Sequence, residues 1–151
     1  MRIKEIEQYF QSEETLDKVL EACQEDFDKI DYYSGLLKQN VTDNPEEVKK
    51  ALIELTGCYM SLYPVMSLSD SEKNNREVRA YCQIRIDTEN AGGKFVDASA
   101  QKEASNAVSN YRRIRNILEG YTEASNRAIS SLQSILKYLS EEVKRTGVKD
   151  E

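Results

Sequence analysis

A chain of 151 residues with 39% hydrophobic content supplies one domain with a real but thin core, and too little apolar surface for two. Charged residues at 32%, with only 6 Gly and 2 Pro, suit long solvated helices rather than turn-rich β structure, so the expected class is all-α. Histidine is absent, which removes the commonest general base, the usual triad orienter, the commonest zinc ligand and the Glu-x-x-His pairs of di-metal carboxylate bundles.

The net charge of −6 is unevenly placed. Residues 1–70 hold 7 Lys/Arg against 15 Asp/Glu, whereas residues 71–151 hold 14 against 12. Phosphates of a nucleic acid would therefore meet the second half. No stretch approaches the roughly 20 apolar residues of a membrane span, and MRIKEIEQYF lacks the apolar core of a signal peptide, so the expected location is the cytoplasm with no membrane partner. Cys23, Cys58 and Cys82 are widely spaced with no CxxC pair and read as reduced core thiols.

In chain order, Ile3, Ile6 and Phe10 predict a short amphipathic turn or helix, and Ser12 an N-cap for a helix over about 13–39. Its apolar row is Leu16, Leu20, Cys23, Phe27, Ile30 and Leu37, broken only by Ser34. Asn44-Pro45-Glu46-Glu47 combines an N-cap, a proline at the first helical position and acids in the first turn, which starts a helix over about 45–63. Val48, Leu52, Leu55, Tyr59 and Leu62 form its inner face, and Pro64 is expected to end it near Tyr63.

Beyond the loop PVMSLSD, Ser69 or Asp70 is expected to cap a helix over about 70–90 that carries Val78, Tyr81, Cys82 and Ile86. Ala91-Gly92-Gly93 then predicts a helix C-cap and reversal, with Asp97 as a fresh N-cap. From Asp97 to about Val143 the series Ala104, Ala107, Tyr111, Ile114, Leu118, Tyr121, Ser125, Ala128, Leu132, Ile135, Leu139 keeps three-four spacing without a proline. About 45 helical residues at about 1.5 Å each would reach nearly 70 Å, more than a compact domain of this size needs. Part of this helix is expected to bend, to stand exposed or to meet other chains. Gly120, followed by the small residues Ala124, Ser125 and Ala128, marks the preferred place for a kink or a close helix crossing.

The whole reads as a single all-α domain over 1–145, a helical bundle built around a long antiparallel helical hairpin. An acidic half (1–69) precedes the hairpin half (70–145), and residues 146–151 are expected to be a disordered tail.

Glycine patterns for phosphate binding fail, since Gly92-Gly93 follows a helix and no G-x-x-x-x-G-K-[ST] occurs. No catalytic centre, metal, cofactor or small-molecule substrate is expected. The segment SNAVSNYRRIRNIL (105–118) places Arg112, Arg113 and Arg115 together with no acid. Arg76, Arg79 and Arg85 lie on the preceding helix, and Lys94 and Lys102 near the start of the next. Folded back at Gly92-Gly93, the two sets would line one side of a hairpin as a groove for a nucleic-acid backbone. Two alternatives stay open: neutralisation by Glu77, Asp87, Glu89, Glu103 and Glu119, or a site for a protein partner's carboxylates. Tyr32-Tyr33 reads as core and rim packing ahead of base stacking, given the acids that precede it.

The layout of residues 70–143, an Arg-rich helix, a Gly-Gly turn, a capped start at Lys94 to Asp97 and a long helix with Tyr-Arg-Arg-Ile-Arg and a Leu/Ile heptad, resembles the UvsY-type recombination mediator proteins of tailed bacteriophages and related small helical proteins encoded beside phage recombination genes. Members of that family are helical, assemble into rings, bind single-stranded DNA and help load a RecA-like recombinase. The resemblance covers about half the chain and leaves its first 70 residues without a counterpart. It implies DNA contacts on Arg76, Arg79, Arg85, Lys94 and Lys102, and self-association on the stripe with Leu132, Ile135 and Leu139. With Tyr121, Ser125 and Ala128, these form the expected homo-oligomer interface. The expected partners are single-stranded DNA, a recombination or replication protein, or both. The alternative is a helical protein-binding module, an inhibitor or adapter whose acidic first half engages a basic partner surface.

Overall fold

The structure, a computed structural model, describes residues 3–39 and 43–147. Among these the fold is all-α: α1 (Ile3–Tyr9), a 3-10 turn (Glu13–Thr15), α2 (Asp17–Lys38), α3 (Pro45–Asn90), α4 (Asp97–Ala107) and α5 (Ser109–Gly147). Two compact units result, unit 1 from Met1–Ala22 and Pro64–Leu118, unit 2 from Cys23–Tyr63 and Glu119–Glu151. Each unit takes segments from both sides of residue 70, because α2, α3 and α5 each contribute to both.

Local chemistry accounts for most helix ends. Ser12 Oγ accepts the Glu14 amide at 3.3 Å, yet it caps the 3-10 turn, and α2 itself begins at Asp17. Asn44 Oδ1 accepts the Glu46 amide at 3.0 Å and starts α3 as its sequence predicts. At the other end of α3, Gly92 adopts φ 70° and donates to the Glu89 carbonyl (3.1 Å), while Gly93 donates to that of Thr88 (3.0 Å). Those paired bonds satisfy the last carbonyls, and the positive φ suits a residue without Cβ.

Three further boundaries differ from the expectation. Pro64 does not end a helix; α3 runs through it, so the loop at PVMSLSD and the cap at Ser69 or Asp70 do not form. Proline's fixed φ is helical, and its ring lies on the exposed side while Leu62 and Val65 are buried on either side of it. Burial of those neighbours offsets the missing hydrogen bond. Because the two apolar segments join, α3 includes a stretch long and apolar enough by length and composition to cross a membrane, of which 28% is buried in the chain. The sequence reading, which ended the helix at Tyr63, anticipated no such stretch.

The second difference is a break at Val108 (φ −106°, ψ 20°), which divides the single helix expected over 97–143 into α4 and α5. Neither Gly nor Pro marks it. Ser105, Asn106, Ser109 and Asn110 around a β-branched valine compete for backbone bonds and weaken the helix locally. Asp97, expected as the N-cap of this helix, is its first residue, and Val96 occupies the cap position. Gly120, in contrast, lies within an uninterrupted α5. Third, α5 reaches Gly147, so Thr146 and Gly147 are helical rather than part of a tail, and the rest of the expected tail lies outside the described residues.

Unit 1 contains the predicted antiparallel hairpin: α3 beyond Pro64 runs against α4 and the start of α5, as the pairs Tyr81–Asp97, Glu77–Arg112 and Asp70–Arg115 require. Its core is Ile6, Phe10, Leu16, Val19, Val65, Ala100, Ala104, Val108, Tyr111, Ile114 and Leu118. Val78, Cys82 and Ile86 are exposed. In unit 2, α2 and α3 pack with α5 around Cys23, Phe27, Ile30, Tyr33, Leu55, Cys58, Leu62, Ser125 and Leu132. The apolar row of α2 continues through Tyr33 where the sequence shows a gap at Ser34; the Tyr33 hydroxyl donates to Glu54 at 2.5 Å.

Candidate nucleic-acid and partner-binding surfaces

The arginine cluster of α5 is consumed inside unit 1. Arg112 Nη2 donates to the Ser105 carbonyl at 2.8 Å and to Ser105 Oγ, with Glu77 3.8 Å away. The break at Val108 deprives the end of α4 of its normal amide donors, and this guanidinium supplies one. Arg113 pairs with Asp17 of α2 at 2.6 Å, and Arg115 with Asp70 of α3 at 3.1 Å. Three neighbouring arginines thus reach three different elements. Pairs with Asp17 and Asp70 escaped the sequence reading, because neither acid is near them in the chain.

Arg76 is likewise structural in its contacts. Its Nη2 donates to the Phe10 carbonyl at 2.6 Å, its guanidinium lies 4.4 Å from the centroid of the Tyr111 ring, and Glu72 is 3.7 Å from Nε. Tyr111 donates its hydroxyl to the same Phe10 carbonyl at 3.2 Å. One carbonyl at the end of α1 thereby ties α3 and α5 together.

The other predicted cations are placed differently. Arg79 lines a recess of about 280 Å³ with Gln11, Ser12, Glu13, Arg76, Val108 and Tyr111. Arg79, Lys94 and Lys102 are exposed and have no acidic partner among the described residues. Arg85 pairs with Glu89 at 3.1 Å and stands 5.5 Å from the Phe95 ring, which meets Tyr81 edge-on at 5.9 Å. The acids nearby are engaged: Asp87 accepts from Gln83, and Asp97 from Tyr81 and Gln101. The structure therefore divides the eight predicted basic residues. Arg76, Arg112, Arg113 and Arg115 brace unit 1, whereas Arg79, Arg85, Lys94 and Lys102 remain on its surface. Phe95, beside Lys94 at the turn, was missed, since an isolated aromatic in a loop carries no periodic signal.

The expected oligomer stripe is also largely spent within the chain. In unit 2, Tyr121 stacks on Phe27 at 4.1 Å and donates to Asp31 at 3.1 Å, Ser125 is buried and donates to the Thr122 carbonyl at 2.8 Å, and Leu132 is buried. Ala128, Ile135 and Leu139 are half-buried. Ala124 and Ala128 line an open groove with Ile30, Leu37, Lys38 and Arg127, and a Cβ on Gly120 would meet nothing within 4 Å. No neighbour therefore approaches closely at Gly120 itself, whereas Ser125, in the same expected crossing segment, is fully buried.

A second cavity of unit 2, about 250 Å³, is walled by Tyr32, Tyr33, Leu36, Val48, Ala51 and Leu132. In the core of the same unit burial dominates ionisation: it pushes the Cys23 thiol up to about 12 and the Cys58 thiol up to about 11, each helped by Asp26. Tyr33 is raised too, first by burial and then by its bond to Glu54. Cys82 is exposed, so only two of the three cysteines are core thiols. Among the described residues no three Cys, Asp or Glu side chains gather as a metal site would need.

No protein-family model matches the chain, and neither a curated protein nor a solved structure matches it.

Proposed function

We propose that the chain is a non-enzymatic, cytoplasmic accessory protein of phage-type DNA recombination or replication, which works by binding single-stranded DNA, a recombination protein, or both, as a homo-oligomer. The observation that carries this reading is that Arg79, Lys94 and Lys102 are exposed and form no ion pair among the described residues, with Phe95 at the hairpin turn. Cations that no carboxylate neutralises are available to phosphates, and a half-exposed ring offers a base a stacking surface.

The test is fluorescence anisotropy of a labelled single strand over a range of salt. Binding at low salt that weakens steeply as salt rises supports the reading, and its loss on changing Arg79, Lys94 and Lys102 together to Ala assigns the site. Absence of binding at the lowest salt sinks it.

A helical protein-binding module is the second reading, favoured by Glu5, Glu7, Glu14 and Glu21, exposed in unit 1 without a basic partner among the described residues. Retention of one stoichiometric basic protein by a chain that ignores DNA would decide for it.

A further inference from the structure

We propose that the recess of unit 1 between α3, the start of the 3-10 turn and the break at Val108 binds a single phosphate group through Arg76 and Arg79. The two arginines stand three positions apart on α3, so they share one side of that helix, and both line the recess of about 280 Å³. Ser12 and Glu13 line it as well, as do Val108 and Tyr111. A volume at the small end of ligand pockets suits a phosphate group on a small substituent or at the end of a longer chain.

The donors select the ligand. Arg76 is held from behind: Nη2 donates to the carbonyls of Phe10 at 2.6 Å and Gln11 at 3.3 Å, and the guanidinium lies 4.4 Å from the centroid of the Tyr111 ring. Its Nε is buried with no hydrogen bond, Glu72 standing 3.7 Å away, and its Nη1 has no hydrogen-bond partner among the described residues. A guanidinium fixed in this way keeps donors in reserve and loses little freedom when an anion arrives. Arg79, one turn on, forms no ion pair among the described residues. Ser12 Oγ accepts the Glu14 amide, which leaves its hydroxyl hydrogen to donate. Three donor groups outnumber the two oxygens of a carboxylate and suit the three of a phosphate monoester.

Glu13 sets the limit. Its carboxylate accepts from Asn110 Nδ2 at 3.4 Å and lines the same recess, so it opposes an anion there. Two guanidinia against one carboxylate leave room for one phosphate group and make its binding weak. A small phosphate ester and the phosphorylated end of a strand both present this group. The inference shares Arg79 with the single-strand reading and stands without it.

Titration of the full chain with inorganic phosphate at constant ionic strength tests it, followed by the Nε–Hε signals of Arg76 and Arg79 in nitrogen-15 spectra. Both signals should shift and saturate. Arg79→Gln should weaken binding roughly tenfold, whereas Glu13→Gln should tighten it roughly threefold, with helical circular dichroism unchanged in both. A general loss of structure cannot produce changes of opposite sign. Signals that do not saturate, or an affinity indifferent to both substitutions, overturn the proposal. Displacement of phosphate by a 5′-phosphorylated oligonucleotide and not by its 5′-hydroxyl form supports the site and assigns it to a strand end; displacement by neither supports it as a site for a small ester. A strand that binds a chain unresponsive to phosphate overturns this proposal and leaves the DNA reading standing, and phosphate binding by a chain that ignores strands does the reverse.

Discussion

Arg76 and Arg112 show how a single side chain can be legible as a charge and illegible as a contact. Each gives a charge-assisted hydrogen bond to a backbone carbonyl that helix ends leave unsatisfied. Arg76→Ala should lower stability by about 2 kcal/mol, the loss of such a bond plus its stacking on Tyr111, whereas Arg79→Ala should change it by less than about 0.5 kcal/mol. Urea unfolding of the two variants makes the comparison. The cysteines give a second residue-scale prediction. At pH 8 an alkylating reagent should modify Cys82 alone in the native chain, with Cys23 and Cys58 reacting only after unfolding, because burial holds their thiols protonated. Mass spectrometry counts the adducts, and two or more on the native chain would contradict the packing described.

Helix ends respond to what surrounds them as much as to the residues at them. Pro64 is read from sequence as a stop and is overridden, since Leu62 and Val65 on the inward side hold the backbone helical across it. Val108 carries no stop signal and yet interrupts a helix, with Arg112 reaching back to cover the freed carbonyl. The glycine at 120 carries a signal for a crossing that no neighbour fulfils. Gly120→Ala should therefore stabilise the chain by about 1 kcal/mol, the helix-propensity difference, as read by the urea midpoint. Destabilisation would mean that another backbone does approach there.

For the whole molecule, pH and salt are the informative variables. Cys23, Cys58 and Tyr33 ionise at higher pH in the fold than in the unfolded chain, so their protonated forms stabilise the native state. That contribution is complete below about pH 8.5, falls as unfolded thiols and then tyrosines ionise above about 8.5 and about 10, and is lost as the higher native values are passed. Unfolding midpoints should thus be level near neutrality and decline on the alkaline side, less steeply in Tyr33→Phe. The division of the basic residues sets the salt dependence. Eight phosphate contacts would give a log–log slope of about −6 per chain for a single strand, whereas Arg79, Lys94 and Lys102 alone give about −2. Anisotropy titrations separate the two values.

What the sequence determined by itself is what local physics decides: the all-α class from composition, the start of α3 at Asn44-Pro45, the reversal at Gly92-Gly93, and the antiparallel hairpin these imply. Each depends on residues within a few positions of one another. Which cations face solvent was not legible, because the acids that take Arg113 and Arg115 stand 96 and 45 residues away, and the carbonyl that takes Arg76 stands 66 away. Nor was the continuity of α3 across Pro64, which was taken as an end. Tertiary structure settled both, since pairing over such separations and burial beside a proline depend on how the helices pack.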